Sequence, residues 1–157
     1  MSELCAYHES GHAVCAILLG ASVHRMSIDP DPDDGPRRDG DVEIHWPGHM
    51  SRSEVCKSSI RVSLAGPAAE MIYSQEPLHP ATVPEWRQDW ETASMLASAQ
   101  FPDAARRTAY LEDVVRRLYA DFSRDDIWQA IASLSDEILA HEHLEADEIH
   151  DCVSAWI

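Results

Sequence analysis

The sequence predicts a mainly α domain, a helical bundle with one small β-hairpin packed beside its first helix. Apolar residues recur at helical spacing over five segments, and only two short runs are β-prone, residues 23–28 and residues 42–46, the second alternating Val42, Ile44, Trp46. At 157 residues the chain suits one domain spanning 1–157, and 45% apolar residues suffice for a core, which excludes disorder of the whole chain.

In order, Ser2 is the expected N-cap of a helix over residues 4–19, closed by Gly20 as an αL cap. The two β-prone runs follow, joined by the acidic stretch DPDPDDGPRRDGD. Ser51 and Glu54 form an S-x-x-E capping box that opens a second helix through Ile60, Leu64, Ala68 and Met71 to Tyr73, with a kink expected at Pro67. A Pro-rich connector over residues 77–84 leads to a third helix over residues 84–100, with Pro84 at its first position. Helices over residues 103–122 and 125–140, the latter after a Ser123–Asp126 capping box, and a short turn over residues 147–156 complete the pattern.

Twelve basic residues against 28 acidic ones give a formal charge of −16, which repels phosphate backbones and anionic lipid, so no nucleic-acid partner is expected. Lys57 is the only lysine and no GxxxxGK[ST] string occurs, so no ATP site is expected. The four cysteines, Cys5, Cys15, Cys56 and Cys152, form no CxxC pair and suit reduced thiols in the cytoplasm. The longest apolar stretch, residues 13–21, is about half of the ~20 residues a membrane helix needs, so no membrane insertion is expected.

Residues 8–12 read HESGH. On a helix, positions i and i+4 point both imidazoles the same way, one turn apart, as two nitrogen ligands of one zinc ion require. Glu9 then lies beside the metal, able to take a proton from a zinc-bound water. Composition alone would produce such a string with probability ~0.04. Placement argues for more, because Leu4, His8, His12, Cys15 and Leu19 trace one stripe that sets both histidines toward the core. Two buried histidines hydrogen-bonded to carbonyl groups are the structural alternative.

Catalytic zinc usually takes three protein ligands. Asp89 is the expected third, in line with Trp86, Ala93 and Leu96, where an unpaired buried carboxylate would be costly. Glu70 is read either as a group orienting a ligand histidine or as a surface glutamate. His45 and His49 share the i, i+4 spacing, but Pro47 and Gly48 oppose a helix and make them loop residues. His141 and His143 fall on different helical faces and, with His79 and His150, are read as surface or capping residues.

These strings resemble the peptidase domain of the FtsH-type ATP-dependent zinc metalloproteases. AYHESGH at residues 6–12 is similar to that family's AYHEAGH, LAGPAAEMIY at 64–73 to its LAGRAAE segment, QDWETAS at 88–94 to its N-D-hydrophobic-E-x-A-T stretch, and ILAHEHLEADEI less specifically to its closing helix. The resemblance implies a mainly helical domain with a β element beside the active-site helix, and implies that Asp89 is the third zinc ligand. Pro67 stands where the family usually has arginine. The family's AAA+ motor and membrane anchor have no counterpart here, so a solitary peptidase domain is expected.

The expected function is zinc-dependent hydrolysis of peptide bonds in unfolded or delivered polypeptides, with His8, His12 and Asp89 on Zn2+, Glu9 as general base, and a separate ATPase or adaptor as possible supplier of substrate. Two alternatives remain: a non-catalytic, zinc-stabilised interaction module, and a zinc hydrolase acting on another bond.

Overall fold

The computed structural model describes residues 3–28 and 40–157. Ser2 and most of the acidic stretch, with the readings made of them, lie outside the described residues. Among these, six α-helices accompany one three-stranded antiparallel sheet, which packs against α1, α5 and α6.

Helix α1, Glu3–Leu18, is buried on most of its circumference, including Ser10 and Gly11. Its alanines and Gly11 let it lie close against α2, Arg52–Ser74, whose Ala65 and Ala69 meet Gly11 directly. The expected single stripe is therefore incomplete: Leu4 and Leu19 are its half-exposed ends, while Ala6, Ala13 and Ala16 are buried on other sides. Gly20 follows with φ +95°, as an αL cap requires.

The α2 capping box forms as its residues predict, Ser51 N–H donating to Glu54 Oε2 at 2.7 Å and Glu54 N–H to Ser51 Oγ at 3.1 Å. The helix runs unbroken through Pro67 to Ser74. Pro67 has no N–H, so the carbonyl of Ser63, one turn earlier, loses its intrahelical donor.

The third helix is shorter than periodicity suggests. The connector makes two 3-10 turns, Pro80–Thr82 and Pro84–Trp86, before α3, Arg87–Ala97; Pro84 heads the second turn and not the α-helix. Helix α4, Ala104–Phe122, is N-capped by Asp103, which accepts from Arg106 N–H at 2.9 Å. The Ser123–Asp126 box does not form. Ser123 instead donates its hydroxyl to Tyr119 O at 2.7 Å and terminates α4, and α5, Asp125–His141, starts from Arg124.

Residues 143–145, which fall between the helix expected over 125–140 and the turn expected over 147–156, form strand β3, His143–Glu145, before α6, Ala146–Ser154. The αL residue Glu142, φ 64°, breaks α5 and turns the chain into the sheet. Strand β1, Ser22–Ile28, sits between β2, Gly40–His45, and β3. His45 is thus the last residue of β2, and Trp46 lies beyond it. Val23 and Met26 face inward, Met26 opposite both Val42 and Leu144. The core continues through Leu111, Leu118 and Phe122 of α4 and Ile131, Leu134 and Ile138 of α5, each nearly inaccessible and each stabilising by about 1.5–3 kcal/mol on burial. No helix among the described residues is long and apolar enough to cross a membrane.

Candidate metal centre

Three helices meet where the chain brings its histidines together. His8 and His12, one turn apart on α1, set their rings edge to face with centroids 4.7 Å apart. Asp89, in the first turn of α3, reaches both: its Oδ2 lies 2.8 Å from His8 Nε2 and 3.5 Å from His12 Nε2. The positive end of the helix dipole favours a carboxylate at that position.

Each imidazole is held from behind. His8 Nδ1–H donates to Glu70 Oε2 at 2.7 Å, and His12 Nδ1–H donates to Val62 O at 2.6 Å. With both Nδ1 atoms used, both Nε2 atoms are left to converge on the Asp89 carboxylate. Glu70 is buried on α2, 2% exposed, so the surface reading of this residue is wrong. Its Oε2 also accepts the Trp86 indole N–H at 2.6 Å, which joins the 3-10 turn before α3 to the back of His8.

Gly66 makes room for this arrangement. A β-carbon there would fall 2.5 Å from His12 Nε2 and 2.7 Å from His8 Nε2, so only a hydrogen fits facing the donor atoms. Two imidazole nitrogens and one carboxylate oxygen, all within 4.8 Å of one another, match the kind of donor set that a three-ligand zinc site uses. The outward Nε2 atoms and the space kept by Gly66 fit such an ion. The carbonyl-bonded alternative describes only the Nδ1 of His12; the Nε2 atoms face a carboxylate.

Glu9 lies next to the triad, 8% exposed, under the first residue of β2. A β-carbon on Gly40 would come within 2.7 Å of the Glu9 Cγ and Oε1, so strand and carboxylate are in close contact. Burial, only partly offset by His12 and His8, raises the Glu9 carboxyl above its ordinary value. For Asp89, burial pushes upward, but the neighbouring His12 and His8 outweigh it and hold the carboxyl well below the usual range. Burial would lower His8, yet its bonds to Asp89 and Glu70 and the charges of Asp89 and Glu9 raise it to about 10. His12 is raised as well, Asp89 overcoming burial.

The group opens into a cleft of about 320 Å³ walled by β2 through Gly40, Asp41, Val42 and Ile44, and by Val62 and Ser63 of α2 and Glu85, Gln88 and Asp89 opposite. The carbonyl that Pro67 leaves without its intrahelical donor belongs to Ser63, one of the cleft-lining residues. Sequence reasoning missed Gly40, Gly66 and the Trp86 link. HExxH spacing reports on one helix, and glycines that accommodate a side chain from another helix leave no local pattern.

The remaining histidines lie elsewhere. His79 caps the first 3-10 turn by accepting Ala81 N–H at 3.1 Å and meets Glu112 at 3.0 Å. His150 accepts Val23 N–H at 3.1 Å and fastens α6 to β1. His49 is exposed beyond β2. His143 belongs to β3 and pairs with Glu145 at 2.7 Å, so the helical-face reading does not apply to it. None of the four cysteines forms a disulfide.

No protein-family model matches the chain, and no curated protein matches it significantly.

Proposed function

We propose that the chain is a zinc metallopeptidase of the FtsH-like type, with His8, His12 and Asp89 as metal ligands and Glu9 as general base. The convergence of His8 Nε2, His12 Nε2 and Asp89 Oδ2 beside a buried Glu9 carries this reading. Zinc held there would polarise a carbonyl and acidify a water molecule. Glu9 would take a proton from that water as its oxygen attacks the peptide carbonyl carbon, and would return it to the amine as the C–N bond breaks. Glu70 and the Val62 carbonyl fix the two imidazoles so that the ligand nitrogens do not turn away.

A polypeptide substrate is favoured by β2. It is an outer strand of the sheet among the described residues, so one edge is available to an extended chain, and its inward residues Val42 and Ile44 line the cleft. Backbone pairing along that edge would lay a peptide across the metal centre. Unfolded segments suit this mode, reaching the cleft alone or delivered by a separate ATPase or adaptor. Four cysteines in the reduced form suit a cytoplasmic setting.

The test is cleavage of a labelled, permanently unfolded protein without ATP, by the zinc-loaded chain and by Glu9→Gln. Cutting by the unaltered chain alone supports the peptidase reading. If neither cuts while both retain zinc at the triad, the domain is a metal-stabilised binding module.

A further inference from the structure

A second group of ligand-type side chains lies on the outer face of the hairpin, away from the cleft. His24 of β1 and Glu43 and His45 of β2 each offer one donor atom, and these atoms lie within 4.8 Å of one another. Strand alternation separates them from the first centre: Val42 and Ile44 turn toward the cleft, Glu43 and His45 away from it.

A β-bulge assembles the group. The register slips between Val23 and Arg25, so Arg25 stands opposite Glu43 while His24 is the extra residue. His24 and Arg25 are consecutive exposed residues in a strand that otherwise alternates. His24 then lies against His45, their rings stacked at 3.8 Å with planes 8° apart. Arg25 takes Glu43 Oε2 at 2.8 Å and leaves Oε1 facing His45 Nε2 at 3.0 Å. Two imidazoles and a carboxylate oxygen are thereby gathered from two strands, and the stacked rings, both exposed, must turn out of parallel for their in-plane nitrogen lone pairs to meet one ion.

We propose that His24, Glu43 and His45 form a second divalent transition-metal site that stitches β1 to β2. Imidazole ligands select zinc, nickel or copper over calcium and magnesium. Arg25 would hold the carboxylate from its other oxygen, as groups behind metal ligands do. Its positive charge and the exposure of the site make this the weaker of the two centres. The proposal does not rest on the peptidase reading, because none of its residues lies in the catalytic group.

The test is equilibrium dialysis of the full chain against Zn2+, with bound metal counted per chain. His24→Ala/His45→Ala should lose one equivalent, whereas His143→Ala, which alters a neighbouring exposed His–Glu pair, should lose none. His8→Ala/His12→Ala should keep the outer equivalent, so failure of the cleft site and of this one are distinguishable. Glu43→Gln, which preserves side-chain volume, should weaken the outer site at least about tenfold, in line with removal of a ligand. An unchanged count in His24→Ala/His45→Ala, unchanged affinity in Glu43→Gln, or equal filling by Ca2+ would overturn the proposal.

Discussion

Trp86 donates its indole N–H to the Glu70 oxygen that also receives His8, at 2.6 and 2.7 Å. One buried carboxylate thereby ties a helix carrying a proposed ligand to the turn that launches α3 and Asp89. The consequence is that residues outside the triad should control metal affinity. Glu70→Gln and Trp86→Phe should each weaken zinc binding by about 10–100-fold. Competition with a chelator measures this, and affinity unchanged in both variants would remove the link.

Gly66→Ala places a methyl group against both Nε2 atoms. The added carbon faces ring atoms fixed by Glu70 and Val62, so the rings can yield little. The expected cost is about 1–3 kcal/mol of stability from overpacking, together with loss of zinc affinity. Thermal unfolding with and without zinc separates the two effects: the stabilisation by metal should shrink more than the stability of the metal-free chain.

Cys15 gives a pH dependence that is independent of the metal centre. Burial, reinforced by Asp121 and opposed by Arg61, pushes its thiol from 9.0 up to about 12. The folded chain therefore keeps a proton that the unfolded chain releases above pH 9.0, and stability from this group is complete below that pH and falls as pH rises toward 12. Denaturant unfolding at pH 8 and pH 10.5 should show a decline of about 1–2 kcal/mol that is smaller in Cys15→Ala.

Leu144 tests the strand that periodicity missed. Its side chain is fully inaccessible and lies opposite Met26. Leu144→Ala should cost about 2–5 kcal/mol, read from chemical denaturation; a cost near zero would mean that β3 contributes no packing.

The helices were legible because their signals are local. The Ser51–Glu54 box and the helical spacing of apolar residues each act within a few residues. The sheet was half legible: β-prone residues mark β1 and β2, with alternation in the second, but three residues of β3 are too few to show a period, and their partner lies far away in sequence. Pro84 misled for a related reason, since proline suits the first turn of a 3-10 helix as well as of an α-helix. Ser123 misled because its hydroxyl had two possible employers, the helix ahead and the helix behind. At the candidate site His8, Glu9 and His12 were visible from spacing, and Asp89 from its apolar neighbours. Glu70 stayed ambiguous because its burial depends on Trp86 and α1, which no pattern within α2 reports.

The sheet joins distant parts of the chain: Val23 donates to His150, 127 residues later, and Met26 pairs with Leu144. During synthesis, α1, α2 and α3 leave the ribosome long before β3 exists. The triad and the cleft wall, all drawn from residues 8–89, can therefore come together while β1 still lacks one neighbour, whereas the pairing of β1 with β3 must wait for the last part of the chain. Assembly of the candidate metal centre and closure of the sheet become separable events in the biogenesis of this domain, with the long-range pairing the slower of the two.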